Sequence, residues 1–436
     1  MRSSRSATLA GATDDRRTKR SLTGPALQSG AEDYMHVTFE ERPALHGMRI
    51  AIVTLDAAQQ LNALSLPMID ALLDQLGRWA NEPAVACVLL RGNGAKAFCA
   101  GGDVRRLAEA CRGEPGTVPA LAERFFADEY RLVHLLHHYP KPLICWGHGY
   151  VMGGGMGLLQ SATIRIVTPD SWLAMPEVAI GLHTDVGASW FLPRLAGRLG
   201  LFLGLTGTRV NARDALDIGL ADRCLMDEQQ PELIEGLVQI NWQDQAHSQL
   251  HSLLRALSRQ ATAQLPAPRL LPRRERIDEL LDVAELAHAW QALAALQDDS
   301  DEVIAQAARG LRDGCPLSAH LAWRQQEKGR KLSLGQALQM EYALSLNCCR
   351  HPEFAEGVRA RLIDKDNRPG WHWPDAHHVP PAVVEALCRA AATAGVRGAV
   401  DLPALGAQML ASARDVRAAF NRHVADLGPA DAGPEA

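Results

Sequence analysis

The chain has 436 residues, of which 47% are hydrophobic and 22% charged, and its formal net charge is −5. This composition is typical of a globular protein with two or three domains, or with one large domain and an appendage, while the acidic balance argues against a general nucleic-acid-binding protein. Aromatic residues make up only 5% of the chain, which does not favour base-stacking surfaces, and no run of about eighteen apolar residues predicts a membrane span.

Nine cysteines are scattered along the chain without a CxxC pair. Several lie in apolar runs such as AVACVLL and KPLICWG. This pattern predicts buried, reduced thiols in a cytosolic protein and gives no support to a zinc site. The usage rich in Ala, Arg and Leu is typical of a bacterial protein, so the predicted location is the bacterial cytoplasm.

The N-terminal segment is rich in Ser, Arg and Gly and lacks the apolar core of a secretory signal. We therefore predict a disordered extension over residues 1–34. Met35 directly precedes the first strand-like segment, which makes it a candidate for the true start.

From residue 35 to 225 short strands alternate with helices, which predicts an α/β core with crossover connections. The predicted elements, in chain order, are two strands in 35–58, a helix in 64–81, a strand in 84–92, a glycine loop and helix from 99, a helix closed by Pro140, a strand leading to three glycines at 153–155, and two strands in 161–175.

The pattern becomes helical from about residue 200, with Asn211 as a predicted N-cap. Amphipathic helices are predicted for the region 226–372, interrupted by a segment rich in Pro and Arg at 264–276. Residues 373–436 are predicted to form a helical appendage with a disordered tail.

Two glycine-rich turns, CAGGD at 99–103 and GGG at 153–155, each stand between a strand and a helix. Glycine permits positive φ and close approach of a ligand, and helix N-termini present unpaired N–H groups. Two such donors can form an oxyanion hole for a carbonyl oxygen. A tight turn would explain each glycine pair as well, and neither turn matches a Walker A or GxGxxG motif.

Two isolated acids, Glu177 and Asp185, lie among apolar and small residues in LAMPEVAIGLHTDVGA. Desolvation raises the pKa of a carboxyl group and suits it to proton transfer near neutral pH. A surface turn for Glu177 and helix capping for Asp185 are the alternative interpretation, which the spacing alone favours.

A family resemblance adds to this pattern. The runs GNGAKAFCAGGDVRRL, HGYVMGGGMGL and AMPEVAIGLHTDVGASWFLPRLAGRLGLFLGLTG together resemble the crotonase (enoyl-CoA hydratase/isomerase) superfamily. FFADEYRL and MEYALSLNCCRHPEFAEGVRARLIDKDNRPGW are similar to its 3-hydroxyisobutyryl-CoA hydrolase branch. The likeness spans roughly residues 36–372. It implies a crotonase-like ββα superhelix with a helical C-terminal region, hydrolysing 3-hydroxyisobutyryl-CoA in valine catabolism.

The resemblance also implies catalytic positions. The family's oxyanion-hole amides fall on Gly102 and Gly154. The branch's acids fall on Glu177, as nucleophile or general base, and on Asp185, which would position the substrate hydroxyl and assist proton transfer. Glu129 falls where the branch hydrogen-bonds the hydroxyacyl end.

The same resemblance implies how CoA is bound. Loops that hold the adenosine part of CoA match Asn62, Ala63, Leu64 and Ala100, and Lys96 is a candidate partner for a CoA phosphate. CoA is part of the substrate, so we expect no separate cofactor and no metal. Because crotonase relatives are oligomers, a homo-oligomer is expected, without nucleic-acid or membrane partners.

Two departures from the family bear on the activity. Gly157 stands where hydratases have one of their two glutamates, so the pair that hydrates a double bond is incomplete. His183 and Thr184 stand where the branch has Phe-Pro, and we predict that His183 contacts the acyl group. Two alternatives stay open: an enoyl-CoA hydratase or isomerase that uses Glu177, and a non-catalytic CoA-binding protein in which His183-Thr184 marks lost activity.

Overall fold

A computed structural model describes the main chain of residues 36–393 and side chains as far as residue 388. The predicted N-terminal extension and the predicted disordered tail therefore lie outside the described residues. The described residues belong to one compact unit. Across residues 36–393, no helix has both the length and the apolar character that crossing a bilayer requires.

Ten strands occur within the described range, and all of them precede residue 225. They are β1 (Val37–Pro43), β2 (Arg49–Leu55), β3 (Val85–Gly92), β4 (Ala97–Cys99), β5 (Leu143–Gly147), β6 (Tyr150–Met152), β7 (Ile164–Val167), β8 (Trp172–Ala174), β9 (Val210–Asn211) and β10 (Arg223–Cys224).

The strands form two sheets. The larger sheet has the order β1-β2-β3-β5-β7-β10, in which only β1 and β2 are antiparallel neighbours. The smaller sheet has the order β4-β6-β8-β9, with β4, β6 and β8 parallel. Parallel neighbours need crossover connections, which helices supply here, so the predicted α/β class is confirmed.

The described range also contains sixteen α-helices. They are α1 (Leu66–Asn81), α2 (Val104–Gly113), α3 (Ala120–His137), α4 (Gly154–Ser161), α5 (Ala188–Phe191), α6 (Leu199–Thr206), α7 (Ala212–Asp217), α8 (Gln230–Val238), α9 (Ala246–Ala261), α10 (Arg274–Leu281), α11 (Leu286–Ala294), α12 (Glu302–Arg312), α13 (Pro316–Gly329), α14 (Leu334–Arg350), α15 (Pro352–Val358) and α16 (Pro381–Thr393).

Local signals in the sequence set several helix boundaries. The Ser65 hydroxyl accepts a hydrogen bond from the Met68 amide at the start of α1, and Pro67 stands in the first turn of that helix. The predicted N-cap Asn211 accepts from the amide of Asp214 at 2.9 Å and begins α7. The predicted helix in 64–81 and the predicted cap are therefore confirmed.

Helices cover both faces of the larger sheet. Leu233 and Leu237 of α8, with Leu254 of α9, pack on one face against Ile52 and Ile144. The opposite face belongs to a larger core that includes α1, α3 and most of the C-terminal helices. Alternate residues of a strand point to opposite faces, so a sheet covered twice needs strands that are apolar throughout, as in AVACVLL.

The C-terminal helices fold back onto the strand-rich part of the chain. Gly187 and Ser189 donate their amides to Glu341 of α14, and Cys315, just before α13, donates its amide to the carbonyl of Val178. The predicted appendage contains α16, which receives a 2.7 Å hydrogen bond from Asn347 at its Leu387 carbonyl. Side chains of α13 and α14 can therefore support loops that follow β8.

Candidate active site

Two glycine turns lie side by side at one edge of the smaller sheet. β4 and β6 are adjacent parallel strands, so their carboxyl ends meet at the same edge. Gly102 follows β4, and Gly153 and Gly154 follow β6. A β-carbon built on Gly154 would lie 3.4 Å from the amide nitrogen of Gly102, so the two turns almost touch.

The second turn requires glycine for two reasons. Gly153 caps α4 with φ 51° and ψ −119°, a conformation that residues with a side chain rarely adopt. A β-carbon on Gly155 would lie 2.2 Å from the carbonyl oxygen of Cys99. The start of α4 can therefore approach β4 this closely only with bare backbone.

The amides of Gly102 and Gly154 are available to a ligand. Leu64 donates to the Gly101 carbonyl at 2.8 Å and accepts from the Asp103 amide at 2.9 Å. This parallel bridge directs the intervening Gly102 N–H to the other side. Gly154 is the first residue of α4, where an N–H has no intrahelical acceptor. Within the described residues neither N–H donates to a main-chain carbonyl.

Three carboxyl groups surround these amides. Glu129 lies on α3, Glu177 begins the 3-10 turn after β8, and Asp185 lies in the loop that follows. Glu129 is 3% exposed, and Glu177 and Asp185 are each 4% exposed. Glu177 is therefore buried, which contradicts the alternative of a surface turn.

Two of these acids face the glycine turns directly. β-Carbons built on Gly154 and Gly153 would lie 2.6 Å from Oε1 of Glu129 and 3.0 Å from Oε1 of Glu177. Glu129 Oε1 and Glu177 Oε2 are buried and have no hydrogen-bond partner in the described part of the chain. Because an unpaired buried carboxyl oxygen is costly, these atoms are placed to meet a ligand.

One cavity of about 960 Å³ joins the turns and the acids, a size that small-molecule sites commonly have. The predicted site residues in its wall are Gly102, Gly154, Glu129, Glu177, Asp185 and Ala100. Phe125, Phe126 and Leu182 add apolar surface, and another part of the wall carries Trp172, Arg209 and Arg269.

Burial raises the pKa of all three carboxyl groups. Desolvation raises the pKa of Asp185 to about 7, against the opposing effect of a hydrogen bond from Tyr130. Desolvation, and then the charge of Asp185, raise the pKa of Glu129 and of Glu177 well above the ordinary value. Burial and the repulsion between neighbouring carboxylates therefore favour the protonated form of Glu129 and Glu177 more than water does, which suits buried acids to proton transfer.

The loop that carries Asp185 is held from α14. Val186 and Gly187 have positive φ of 51° and 90°. The carboxylate of Glu341 accepts the amides of Gly187 at 2.7 Å and Ser189 at 2.8 Å. Glu341 and Tyr130 are not among the predicted site residues, although Tyr130 follows Glu129 in FFADEYRL and Glu341 stands in MEYALSL, because no local pattern shows that their side chains reach the loop that carries Asp185.

Position 157 has no room for a second glutamate. A β-carbon on Gly157 would lie 2.6 Å from Cβ and 3.1 Å from the carbonyl oxygen of Val186. The loop carrying Asp185 therefore packs directly on α4 where hydratases, according to the resemblance, have a side chain. The geometry pairs Glu177 with Asp185 instead of a second glutamate.

We predict that Gly157→Ala lowers the free energy of unfolding by about 1–3 kcal/mol, because the new methyl group overpacks against Val186. Urea unfolding of the purified variant measures this change. Gly77→Ala in α1 is the matched control, since a β-carbon there meets nothing within 4 Å. Equal stability of the two variants would contradict the tight packing of α4 against the loop.

We also predict that Gly157→Glu does not create crotonyl-CoA hydration, because the glutamate side chain has no room at this position beside Val186.

His183 does not line the cavity. Its side chain is 0% exposed and lies behind Asp185, with Nε2 at 2.8 Å from the Ser345 hydroxyl. Burial lowers the pKa of its imidazole to about 4, so the ring is neutral at neutral pH. The predicted contact between His183 and the acyl group is therefore replaced by contacts within the protein.

The predicted CoA loop borders a second cavity of about 610 Å³, which shares Ala100 and Gly102 with the first. Ala63 lines this second cavity. Asn62 does not, because its side chain accepts from the Ala57 amide and donates to the carbonyls of residues 93 and 97. Asn62 therefore braces the loop rather than presenting its amide to a ligand.

The other two predicted CoA-binding residues lie at the edge of this region. Leu64 is fully buried, and its main chain pairs with the turn that holds Gly102. Lys96 is exposed and lies in the wall of neither cavity. A CoA phosphate would have to lie outside both cavities to reach Lys96.

Neither a metal nor a nucleophilic thiol is suggested by the geometry. Among the described residues, no group of three or more His, Cys, Asp or Glu side chains could hold a metal ion. Burial raises the pKa of the Cys99 thiol to about 12, so Cys99 is a packed thiol rather than a thiolate. The groups that face the glycine turns are the carboxyl groups of Glu129 and Glu177.

Comparisons with known proteins identify relatives of this chain. The model of the enoyl-CoA hydratase/isomerase family matches residues 50–388. The 3-hydroxyisobutyryl-CoA hydrolase, mitochondrial, of Danio rerio is 38% identical over 324 residues, which cover 74% of this chain and 82% of the relative. The protein of the same name from Homo sapiens is 35% identical over 328 residues, covering 75% of this chain and 83% of the relative.

Two solved structures share the fold. A carnitinyl-CoA dehydratase from Mycobacterium thermoresistibile superposes with a TM-score of 0.70 at 30% identity, over 80% of this chain and 95% of the other. An enoyl-CoA hydratase from Rhodobacter sphaeroides 2.4.1 superposes with a TM-score of 0.66 at 31% identity, over 80% and 96%. The predicted crotonase-like fold is therefore confirmed.

Proposed function

Because the chain belongs to the enoyl-CoA hydratase/isomerase family, we propose that it is a thioester hydrolase that converts a short 3-hydroxyacyl-CoA to the free acid and CoA. 3-Hydroxyisobutyryl-CoA is the proposed substrate, and the names of the relatives at 35–38% identity support it. The observation that carries the proposal is the pairing of Glu177 with Asp185 at a site where position 157 excludes a second glutamate. Valine catabolism is the proposed pathway on the same grounds.

In the proposed complex the thioester carbonyl oxygen lies between the amides of Gly102 and Gly154. Negative charge develops on this oxygen when the carbon is attacked, and each amide stabilises it by about 3 kcal/mol. The pantetheine and nucleotide extend along the cavity bordered by Ala63 and Ala100. This orientation leaves the acyl end near Glu129 and Asp185, whose carboxyl groups bind the 3-hydroxyl.

Glu177 performs the proposed chemical step. Its carboxylate either attacks the thioester carbon, forming an acyl anhydride that water then hydrolyses, or takes a proton from water as the water attacks. In both routes the C–S bond breaks and CoA leaves as a thiol after gaining a proton. Detection of ¹⁸O in the Glu177 side chain after a single turnover in ¹⁸O-water would establish the anhydride route, because water that attacks the glutamyl carbon of the anhydride leaves its oxygen there, whereas the general-base route leaves none.

A panel of acyl-CoAs tests the proposed function by following free CoA with a thiol reagent. We expect turnover of 3-hydroxyisobutyryl-CoA, and at least about a hundredfold lower kcat/KM for isobutyryl-CoA, which leaves the hydroxyl-binding carboxyl groups unpaired. CoA release no faster than the uncatalysed reaction would reject the proposal. Loss of crotonyl-CoA absorbance would then indicate a hydratase, and binding without turnover a CoA-binding protein.

Three further expectations accompany this proposal. Turnover should not require an added metal or cofactor, so exhaustive treatment with EDTA should leave kcat unchanged. A homo-oligomer and a location in the bacterial cytoplasm stay predictions. Sedimentation of the purified chain measures the oligomeric state, and cell fractionation determines the location.

A further inference from the structure

The wall of the first cavity is acidic in one part and basic in another. Its acids are the three carboxyl groups described above, beside the glycine turns. The other charged side chains in this wall are those of three arginines. We call the part of the wall formed by Trp172, Arg209, Arg269, Gln306 and Arg361 the basic arm.

Strand register fixes the position of the basic arm. Tyr150 and Trp172 are partners at the start of the parallel strands β6 and β8, so their rings lie side by side on one face of the smaller sheet. The Arg209 guanidinium lies 5.6 Å from the centre of the Tyr150 ring, and the Arg269 guanidinium 5.3 Å from that of Trp172. Both guanidinium groups therefore border the same stretch of the sheet.

The basic arm and the glycine turns lie at opposite ends of these strands. Tyr150 is the first residue of β6, and Gly153 follows its last residue, Met152. Three residues of extended chain span about 10 Å. Met152 and Trp172 both line the cavity, so the sheet supplies a wall that leads from the turns to the basic arm.

The guanidinium groups of Arg209 and Arg269 have no carboxylate partner among residues 36–388. Within that range the Arg209 side chain contacts the Tyr150 ring and makes no hydrogen bond. The Arg269 guanidinium donates to the Gln306 side chain at 3.4 Å. The carboxylate of Asp214 accepts the main-chain amide of Arg269 at 2.9 Å and forms no ion pair with its guanidinium. The positive charge of both groups is thus left for a ligand.

Arg361 adds a third guanidinium group whose hydrogen bonding is incomplete. Its terminal nitrogens donate to the Asn367 side chain at 3.1 Å and to the Asp313 carbonyl at 3.4 Å. Its Nε is buried and has no hydrogen-bond partner in the described part of the chain. By contrast, Arg273, which lies outside the cavity wall, forms an ion pair with Asp301 at 2.6 Å.

We propose that the basic arm binds the carboxylate that thioester hydrolysis produces, an inference that rests on the proposed function. Hydrolysis joins the oxygen of water to the acyl carbon and breaks the C–S bond, and the sulfur gains a proton. The carboxylic acid then releases its own proton to solvent. The resulting carboxylate forms beside three buried carboxyl groups, where a further negative charge is disfavoured. A guanidinium group binds a carboxylate through two parallel hydrogen bonds, so the basic arm favours this anion.

The proposed course of CoA leaves the basic arm open. Pantetheine and the nucleotide extend along the second cavity, whose wall shares no residue with the basic arm. The acid and CoA can therefore be bound at the same time, and the acid can leave the catalytic acids before CoA dissociates.

Calorimetric titration with 3-hydroxyisobutyrate tests the site without turnover. We expect the double substitution Arg209→Gln and Arg269→Gln to raise the Kd of this acid by at least about tenfold, because it removes two charged donors. The uncharged 3-hydroxyisobutyramide should bind both proteins equally. Arg213→Gln is the matched control, since Arg213 lies on α7, pairs with Asp217 and is outside the cavity wall. Saturating CoA should not abolish binding of the acid.

An equal Kd of the acid for the double variant and the unsubstituted protein, or no binding heat with the unsubstituted protein, would overturn the inference. So would a double variant with unchanged affinity for the acid and a higher KM for the CoA thioester but not for the pantetheine thioester. That result would assign the arginines to a CoA phosphate. Failure of the proposed function is a separate result, namely no release of CoA, and the titration still decides whether the basic arm binds the carboxylate.

Discussion

Glu177→Gln is expected to lower kcat for CoA release by about a thousandfold, because an amide neither attacks a thioester nor accepts a proton from water. The substitution keeps the shape of a buried side chain that makes no hydrogen bond through Oε2 within the described residues. Thioester affinity, measured by calorimetry, should therefore change by less than about threefold. Single-turnover CoA release measures the chemical step directly.

Glu353→Gln is the matched control for this substitution. Glu353 is also a buried glutamate, at 2% exposed, but it accepts the His372 amide and lies outside the cavity wall. Its replacement should leave kcat within about threefold of the original value. If Glu177→Gln retained more than a tenth of the original kcat, neither route through Glu177 could be correct.

The sequence predicted the parts of the molecule that are encoded locally. Helix α1 could be placed because apolar residues repeat at helical spacing in this segment. The structure buries five of them: Met68, Ile69, Leu72, Leu76 and Trp79. The strand at 84–92 appears as β3 because an apolar run of that length suits a sheet covered on both faces. The glycine turns could be predicted as well, because glycine marks positions where the backbone has a positive φ or where another group approaches closely.

The support of the site could not be predicted, because it comes from distant parts of the chain. His183 and Ser345 are 162 positions apart, and Gly187 and Glu341 are 154 apart. No local pattern marks Ser345 or Glu341 as partners of the catalytic loop. The burial pattern of α14 cannot identify them either, because ten of its seventeen residues are buried.

Asn62 shows a different limit of sequence reasoning. Its loop matches one that holds the adenosine part of CoA in the family, which predicts that Asn62 takes part in CoA binding. In the structure its amide joins Ala57 to the carbonyls of Asn93 and Ala97, and its φ of 56° is one that asparagine tolerates. A residue of a binding loop can thus be required for the shape of the loop rather than for contact with the ligand.

The lack of a side chain at Gly157 and the position of Asp185 in the cavity wall are linked. With glycine at 157, the Val186 main chain approaches α4 closely, and this approach brings Asp185 to the cavity wall. A larger residue at 157 would push the loop away and take Asp185 with it. A glutamate at 157 and an aspartate at 185 in its present place are therefore sterically incompatible.

Gly154→Ala is expected to reduce kcat by about a hundredfold to a thousandfold, the usual effect of losing one oxyanion donor. The new β-carbon would lie 2.6 Å from Glu129 Oε1 and 3.4 Å from the Gly102 amide nitrogen. Either Glu129 must leave the cavity wall or the start of α4 must shift, and both changes disturb the position of the carbonyl oxygen. Steady-state CoA release measures the loss.

Gly77→Ala supplies the control for adding a methyl group to a helix without obstruction. Affinity for free CoA separates two explanations of the loss at Gly154, because free CoA has no acyl carbonyl to bind. Unchanged CoA affinity with a reduced kcat places the defect at the acyl end, in the oxyanion site or at Glu129, whereas loss of both would indicate a general shift of α4. If kcat stayed within about fivefold, the added methyl group would have displaced neither the Gly154 amide nor Glu129 from a position that the reaction needs, since loss of an oxyanion donor costs far more.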